Sequence, residues 1–284
     1  MMRRRDLIAR AAADLLACSS SPRLDAELLL AHVLGLDRTA ILTGDAIEVA
    51  PPAAQSFETL LARRRAGEPV AYLVGVREFW SLCLHVTPAV LVPRPETEVL
   101  VELALARLPR GQASRVLDLG TGSGAIALAI ARERPDARVF ATDVSPAALE
   151  VAQRNAREHG LQRVEFRQGD WFGAIRGERF DLIACNPPYV AAGDAHLPAL
   201  AAEPRGALVP GPTGLEAHER IIPAAPGHLR PGGWLLLEHG AEQAVAVQNL
   251  LERHGFHDVT SHPDYSGIPR VTLGSLSSHM QGPS

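Results

Sequence analysis

The sequence predicts an α/β fold in which a mostly parallel sheet follows a small helical domain. Residues 1–75 are rich in leucine and alanine and contain few strand-forming residues. After Gly111, short apolar segments alternate with helical segments, and a glycine-rich turn follows the first of these segments. Strand–helix alternation at this spacing is typical of βαβ units, whose sheet has both faces covered.

Proline and glycine mark the helix ends in the first 75 residues. Ser21-Pro22 is typical of an N-cap followed by proline in the first turn, and Gly35 predicts the end of that helix. Pro51 opens another predicted helix, which ends near Gly67. These signals predict a helical N-terminal domain over residues 1–75.

The chain after this domain divides into three further predicted parts. Residues 76–95 contain Val, Leu and aromatic residues and predict a hairpin linker, residues 96–276 form the α/β domain, and the polar tail 277–284 is predicted to be disordered. Helices are predicted near 96–108, 124–134, 146–159, 215–229 and 241–254. The seven predicted strands are 115–119, 138–142, 164–168, 181–186, 234–238, 258–261 and 270–273.

The charge composition excludes several classes of function. All 28 basic residues are arginine, so a Schiff-base lysine and the lysine of a P-loop are excluded. The net charge is −4, and residues 1–75 hold nine arginines and nine acidic residues. A nucleic-acid binder is expected to concentrate positive charge on one segment or face. We therefore expect no direct nucleic-acid partner.

The cysteines, the length of the apolar runs and the spacing of the histidines predict a cytoplasmic protein without a metal site. Three scattered cysteines indicate a reducing compartment, and no apolar run reaches the ~18–20 residues that a membrane span needs. No histidine pair has the H-x-x-x-H spacing of a zinc-binding helix. Asp6, Arg10 and Asp14 interrupt the apolar start of the chain, which favours an amphipathic helix over a signal peptide. An Arg-rich transit peptide stays as an alternative.

The glycine-rich turn predicts a cofactor site. Glycines let the backbone approach a ligand closely, and the helix that follows presents free N–H groups. Asp143 ends the second predicted strand about 20 residues later, where a carboxylate accepts hydrogen bonds from ribose hydroxyls. The turn reads Gly120-Thr121-Gly122-Ser123-Gly124 and lacks the G-x-x-G spacing of the dinucleotide fingerprint. It resembles the nucleoside-binding loop of the Rossmann-like S-adenosylmethionine methyltransferases, and this resemblance implies S-adenosylmethionine as the cofactor and leaves NAD second.

The tetrapeptide Asn186-Pro187-Pro188-Tyr189 follows the fourth predicted strand. Ligands of open parallel sheets lie at the carboxyl ends of the strands, so this segment is expected beside the cofactor. The Asn186 side-chain oxygen and the Pro187 carbonyl can each accept one proton of a conjugated NH₂ group. The prolines fix the backbone, and Tyr189 offers a flat face for stacking on a planar group. The segment predicts methyl transfer to an amide or base nitrogen.

Six further motifs accompany the glycine turn and the tetrapeptide. They are Phe79-Trp80-Ser81, Val92-Pro93-Arg94-Pro95-Glu96-Thr97-Glu98, Asp170-Trp171-Phe172, Leu236-Leu237-Glu238-His239-Gly240, Asp264-Tyr265 and Arg270-Val271-Thr272-Leu273-Gly274. The combined motifs resemble the PrmC/HemK family, whose members methylate the glutamine of the Gly-Gly-Gln loop in peptide chain release factors. The resemblance covers roughly residues 5–275.

The resemblance implies a Rossmann-like methyltransferase domain that converts S-adenosylmethionine to S-adenosylhomocysteine. It implies that Gly120–Gly124 and Asp143 hold the cofactor, that Trp171 packs near its adenine, and that Asn186 lies between cofactor and substrate. The tetrapeptide would orient the glutamine amide, while the helical domain and hairpin would help to dock the release factor. The family usually carries an Arg-aromatic pair before Glu203-Pro204, whereas this chain has Ala201-Ala202.

Three alternatives to release-factor methylation remain from the sequence. A glutamine of a ribosomal protein would use the same catalytic residues. Adenine-N6 methylation of DNA or RNA would require a basic recognition region. A non-catalytic cofactor-binding module would carry a damaged tetrapeptide, yet Asn186–Tyr189 is complete. We expect a monomer.

Overall fold

The computed structural model describes residues 2–43 and 48–277. The described residues form two compact units, one drawn from residues 1–76 and 198–202 and the other from residues 77–197 and 203–284. Of the predicted disordered tail, residues 278–284 lie outside the described residues. Within the described ranges, none of the helices has both the length and the apolar character to cross a membrane.

The first unit is helical, as the sequence predicts. Pro22 begins α2 and Gly35 ends it in the left-handed region at φ 64°, which confirms both predicted helix ends. Its core packs leucines and Phe57 from several helices. The elements are β1 (Met2–Arg3), α1 (Arg4–Asp14), α2 (Pro22–Leu34), α3 (Arg38–Thr43), β2 (Glu48–Val49), α4 (Pro51–Arg65) and α5 (Val70–Val74).

A two-stranded hairpin follows, made by β3 (Val76–Phe79) and β4 (Leu82–His85). Trp80 and Ser81 form the two-residue connection, with φ of 49° and 55°. Two consecutive residues at positive φ are the signature of a type I′ turn, whose twist matches that of paired strands. Phe79, Leu82 and Leu84 anchor the hairpin in the larger core of the second unit.

The second unit contains the predicted seven-stranded, mostly parallel sheet. Its strand order is β10-β11-β9-β8-β5-β6-β7, and β11 runs antiparallel to both of its neighbours. Apolar clusters pack on the two faces of the sheet. The elements are α6 (Thr97–Arg107), β5 (Arg115–Leu119), α7 (Ala125–Glu133), β6 (Arg138–Asp143), α8 (Pro146–Glu158), β7 (Glu165–Gln168), β8 (Phe180–Cys185), α9 (Glu216–Ala224), β9 (Leu229–Glu238), α10 (Ala244–Arg253), β10 (Phe256–Pro263) and β11 (Pro269–Leu276).

The strand order explains where a ligand site forms. β5 lies between β6 and β8, so the chain leaves β5 in one direction across the sheet and later returns on its other side. Ligands of such sheets bind outside the carboxyl ends of the strands, at this point of reversal. The glycine turn follows β5 and the tetrapeptide follows β8, so the topology brings them together.

Among the predicted helices and strands, two boundaries differ from the structure by five residues, and the other differences are smaller. The helix predicted over 215–229 ends at Ala224, and a 3₁₀ turn covers 225–228 because Pro226 has no N–H to continue the helix. The strand predicted from Trp234 begins at Leu229 and passes through Pro231-Gly232-Gly233. The pairing of β8 with β9 shifts register there, which accommodates residues that otherwise predict a turn.

Candidate active site

A cavity of about 270 Å³ lies in the second unit at the carboxyl ends of β5, β6 and β8. The glycine turn, the end of β6, the segment after β7 and the tetrapeptide contribute to its wall. The lining residues are Phe79, Ala89, Val90, Leu91, Pro93, Arg94, Thr97, Gly120, Thr121, Gly122, Ser123, Ala125, Ile126, Asp143, Val144, Ser145, Ala148, Gly169, Asp170, Trp171, Asn186, Pro187, Pro188, Pro204, Gly206 and Ala207.

The glycine turn contacts the acid at the end of β6. The backbone N–H of Gly122 donates to Asp143 Oδ2 over 2.9 Å, and the N–H of Ser145 donates to Asp143 Oδ1 over 2.9 Å. Each carboxylate oxygen therefore has one fixed partner and further lone-pair capacity. A ligand with two neighbouring hydroxyl groups fits this carboxylate.

A second carboxylate, that of Asp118, supports the glycine turn from the protein interior. Asp118 is fully buried in β5, and its Oδ2 accepts hydrogen bonds from the Thr121 hydroxyl at 2.6 Å and the Ala127 N–H at 3.1 Å. Burial raises its pKa to about 7, although both hydrogen bonds oppose this shift. Asp118 thus fixes the turn onto the first residues of α7.

Trp171 closes the cavity beside the glycine turn. Its backbone lies at φ 48°, and a Cβ added to Gly120 would be 3.7 Å from the Trp171 ring. The indole Nε1 is buried and has no hydrogen-bond partner among the described residues. An aromatic face with an unused N–H donor suits a heteroaromatic ring, so these residues fit an adenosine group.

The tetrapeptide follows β8 directly, since the strand ends at Cys185. Asn186 Nδ2 donates to Thr97 Oγ1 over 3.2 Å, and Pro187 is buried. The Tyr189 hydroxyl donates to Glu238 Oε1 over 3.1 Å. Burial and the adjacent Glu238 carboxylate raise the pKa of Tyr189, so the phenol stays protonated.

The structure gathers most of the predicted site residues around one cavity, and two of them lie outside its wall. Gly124 stands behind the turn at φ 86°, against Ala152 and Leu128. Tyr189 directs its hydroxyl to Glu238 and does not line the cavity. The predicted residues that line it are Gly120, Thr121, Gly122, Ser123, Asp143, Trp171, Asn186, Pro187 and Pro188.

Four residues of this region received no role from the sequence: Thr97, Glu238, Arg94 and Glu203. Glu238 ends β9 after three leucines, and an acidic residue at the end of a strand is the same signal that identified Asp143 at the end of β6. Burial raises the pKa of Glu238 to about 7. Arg94 pairs with buried Glu203, which also accepts the Val92 N–H over 3.0 Å. The members of this pair are 109 positions apart, so no local sequence pattern predicts their contact.

Known proteins resemble the chain over nearly its full length. Residues 6–75 match the family model for the PrmC N-terminal domain, and residues 96–211 match the model for the Methyltransferase small domain. A release factor glutamine methyltransferase of Xylella fastidiosa (strain Temecula1) is 53% identical over 254 residues, covering 89% of this chain and 92% of the relative. One from Escherichia coli (strain K12) is 49% identical over 267 residues, covering 93% and 96%.

Solved structures share the fold. A methyltransferase from Pyrococcus furiosus superposes with a TM-score of 0.53 at 21% identity, covering 78% of this chain and 98% of that protein. Such distant similarity concerns the architecture of the sheet and its helices. The two relatives named above agree with this chain in sequence as well, over most of its length.

Proposed function

Because the chain belongs to the release factor glutamine methyltransferase family, we propose that it methylates the glutamine N5 amide nitrogen in the Gly-Gly-Gln loop of peptide chain release factors. S-Adenosylmethionine is the proposed methyl donor. The observation that carries the proposal is that Asn186, Pro187 and Pro188 line the same cavity as the glycine turn and Asp143. The nitrogen-orienting segment and the nucleoside site therefore face the same cavity.

The cofactor side of the cavity consists of Asp143, the glycine turn and Trp171. Asp143 is positioned by the Gly122 and Ser145 N–H groups, so its remaining lone pairs can accept the two ribose hydroxyls. Trp171 would pack against the adenine, and the glycines of the turn would let the backbone approach the nucleoside. When bound, S-adenosylmethionine supplies an electrophilic methyl group on a sulfonium.

The substrate side consists of Asn186 and Pro187. Their oxygens each accept one N–H of the glutamine amide, which turns the nitrogen lone pair toward the methyl group. Such contacts strengthen as the nitrogen becomes tetrahedral, and therefore favour the transition state. No strong base is required, because the nitrogen becomes acidic and loses its proton after the transfer.

The docking site of the protein substrate is proposed for the first part of the chain. We propose that residues 1–75 and the 76–95 hairpin dock the release factor, and that residues 96–276 carry out methyl transfer. The whole protein is proposed to act as a monomer in the cytoplasm. The relatives' names support a release factor over a ribosomal protein, and the neutral charge of residues 1–75 supports a protein over a nucleic acid. Ala201-Ala202, where the family usually has Arg and an aromatic residue, changes the contacts available to that substrate.

The test supplies the protein with radiolabelled S-adenosylmethionine and three separate acceptors. These are a purified release factor, the same factor with its Gly-Gly-Gln glutamine replaced by alanine, and unmethylated DNA. We expect label in the first acceptor alone. Label in DNA, or equal label in the glutamine variant, contradicts the proposal.

An Asn186→Ala variant tests the role of the tetrapeptide. It is expected to keep the fold and the affinity for S-adenosylmethionine and to lose methyl transfer, because one acceptor for the substrate N–H is gone. Circular dichroism and calorimetric titration check the first two properties. Undiminished turnover in this variant contradicts the mechanism.

A further inference from the structure

Two residues of the tetrapeptide contact a buried group around Glu238. Tyr189 is hydrogen-bonded to the Glu238 carboxylate, and Asn186 is hydrogen-bonded to Thr97, which lies close to the same carboxylate. We propose that Glu238, acting through the Thr97 hydroxyl, fixes the Asn186 amide so that its oxygen faces the substrate, which makes Glu238 and Thr97 positioning residues. This inference rests on the proposed function, because it explains how the acceptor oxygen is aimed. It also gives Tyr189 a role separate from stacking on the substrate.

The contacts run from Asn186 into the protein interior. Asn186 Nδ2 donates to Thr97 Oγ1 over 3.2 Å, and Thr97 is almost completely buried. A threonine hydroxyl has one proton to donate as well as lone pairs that accept. If Thr97 accepts from Asn186, its own proton needs another acceptor nearby.

We assign Glu238 as that acceptor. Its side chain is fully buried, and the Thr97 hydroxyl lies close enough to lower its pKa. Tyr189 occupies Oε1, whereas Oε2 is buried and has no hydrogen-bond partner in residues 2–43 and 48–277. A buried carboxylate oxygen without a partner is costly, so a small shift of the Thr97 side chain that brings its hydroxyl proton to Oε2 is favoured.

The charge of Glu238 sets the direction of every bond in this network. An ionised carboxylate can only accept, so Tyr189 and Thr97 must donate to it. The Thr97 oxygen then accepts, and Asn186 must turn its NH₂ toward Thr97. Asn186 Oδ1 consequently remains available to the cavity that the residue lines. In the flipped orientation an NH₂ group would face the substrate NH₂, and no acceptor would be present.

The groups around Glu238 make this direction depend on pH. Burial raises its pKa to about 7, the Thr97 and Tyr189 hydroxyls and the Arg270 charge oppose the rise, and Glu96 adds to it. His218 Nε2 contacts the Glu238 backbone oxygen at 2.9 Å, and burial lowers the His218 pKa to about 4, so this ring stays neutral near pH 7. A protonated Glu238 becomes a donor and no longer orders the network.

The first test compares Thr97→Val, which removes the hydroxyl at nearly constant shape, with Thr97→Ser, which retains it. We expect Thr97→Val to lower kcat roughly tenfold, the effect of one lost orienting hydrogen bond, with unchanged KM for S-adenosylmethionine. Thr97→Ser should restore most of the rate. Thr142→Val is the matched control, because the buried Thr142 hydroxyl has no partner among the described residues. A Thr97→Val rate within twofold of wild type, or Thr97→Ser as slow as Thr97→Val, overturns the proposal.

The second test needs neither release factor nor cofactor. The ¹⁵N resonance of the Asn186 NH₂, assigned by its loss in Asn186→Asp, should shift with pH near 7 in the wild type and lose this titration in Glu238→Gln. An unchanged titration in Glu238→Gln overturns the proposal. Absence of methyl transfer in the wild type, with this titration present, would instead overturn the proposed function alone.

Discussion

The Asn155 side chain exchanges two hydrogen bonds with the backbone of His85. The His85 N–H donates to Asn155 Oδ1 over 2.7 Å, and Asn155 Nδ2 donates to the His85 carbonyl over 3.0 Å. Nδ2 also donates to the Ser123 carbonyl over 2.9 Å. Asn155 lies on α8 and is fully buried. One amide group therefore joins the end of the hairpin to the glycine turn.

Asn155→Ala is expected to destabilise the second unit by about 2–4 kcal/mol, because three backbone polar groups lose their partner. The affinity for S-adenosylmethionine should fall as well, since the glycine turn loses a support. Urea unfolding and calorimetric titration measure the two effects. The control is Asn249→Ala, an exposed helical position, where a change within ~0.5 kcal/mol is expected. Equal stability of the two variants contradicts this prediction.

The Arg94–Glu203 pair predicts a second effect on stability. The Glu203 side chain is 2% exposed, whereas that of Arg94 is 33% exposed. Arg94→Met would leave a buried carboxylate without its cation, which costs about 2–4 kcal/mol after allowance for the solvent around Arg94. Both segments of the pair line the cavity, so cofactor affinity should also decrease.

Chemical denaturation of Arg94→Met and of a matched variant separates two effects. One is leaving a buried carboxylate without its cation, and the other is the loss of one positive charge. Arg63 and Glu68 form an ion pair in which the Arg63 side chain is 50% exposed. Arg63→Met also removes a positive charge, yet it should change the free energy of unfolding very little. If both variants lose equal stability, the buried pair has no special role.

The parts of this site that could be predicted depend on local sequence. The glycine turn, Asp143 and the tetrapeptide each follow an apolar strand, and the parallel topology then fixes where the strand ends meet. The seven strands were predicted for the same reason, because period and turn residues are local signals. The fold class and the proximity of the glycine turn to the tetrapeptide could therefore be predicted from the sequence.

The interior contacts of the site could not be predicted in this way. The flat Tyr189 ring indicated a stacking role, which stays a prediction, but its hydroxyl bonds to Glu238, 49 positions later. Asn155 joins the hairpin to the glycine turn across separations of 70 and 32 residues. Such contacts follow from packing of the sheet faces, and no periodicity in the sequence encodes them.

Gly124→Ala is expected to weaken the glycine turn. Gly124 lies at φ 86°, where L residues are strained, and an added Cβ would lie 3.2 Å from both Ala152 Cβ and Leu128 Cδ1. We expect a loss of about 1–3 kcal/mol, measured by thermal unfolding. Gly193→Ala is the control, since that position has no positive φ and no atom within 4 Å of an added Cβ. A melting temperature lowered equally by both changes contradicts the argument.

His218 predicts how stability depends on pH. The ring is fully buried, its Nε2 contacts the Glu238 carbonyl at 2.9 Å, and Nδ1 has no partner among the described residues. Burial lowers the pKa from 6.5 to about 4, and the nearby His239 lowers it further. Between these two values the unfolded chain binds a proton that the folded protein does not bind. The His218 contribution is therefore complete above pH 6.5 and is lost as the pH falls toward 4.

The measurement is the difference in unfolding free energy between wild type and His218→Gln, followed from pH 7 to pH 4. Asp118 and Glu238 have raised pKa values, so their contributions are present at low pH and are lost as the pH rises through about 7. Taking the difference removes these opposing contributions, which both proteins share. The stability of the wild type relative to the variant should fall by up to about 3 kcal/mol across the window. A difference that stays constant with pH would mean that His218 is protonated equally in the folded and unfolded states.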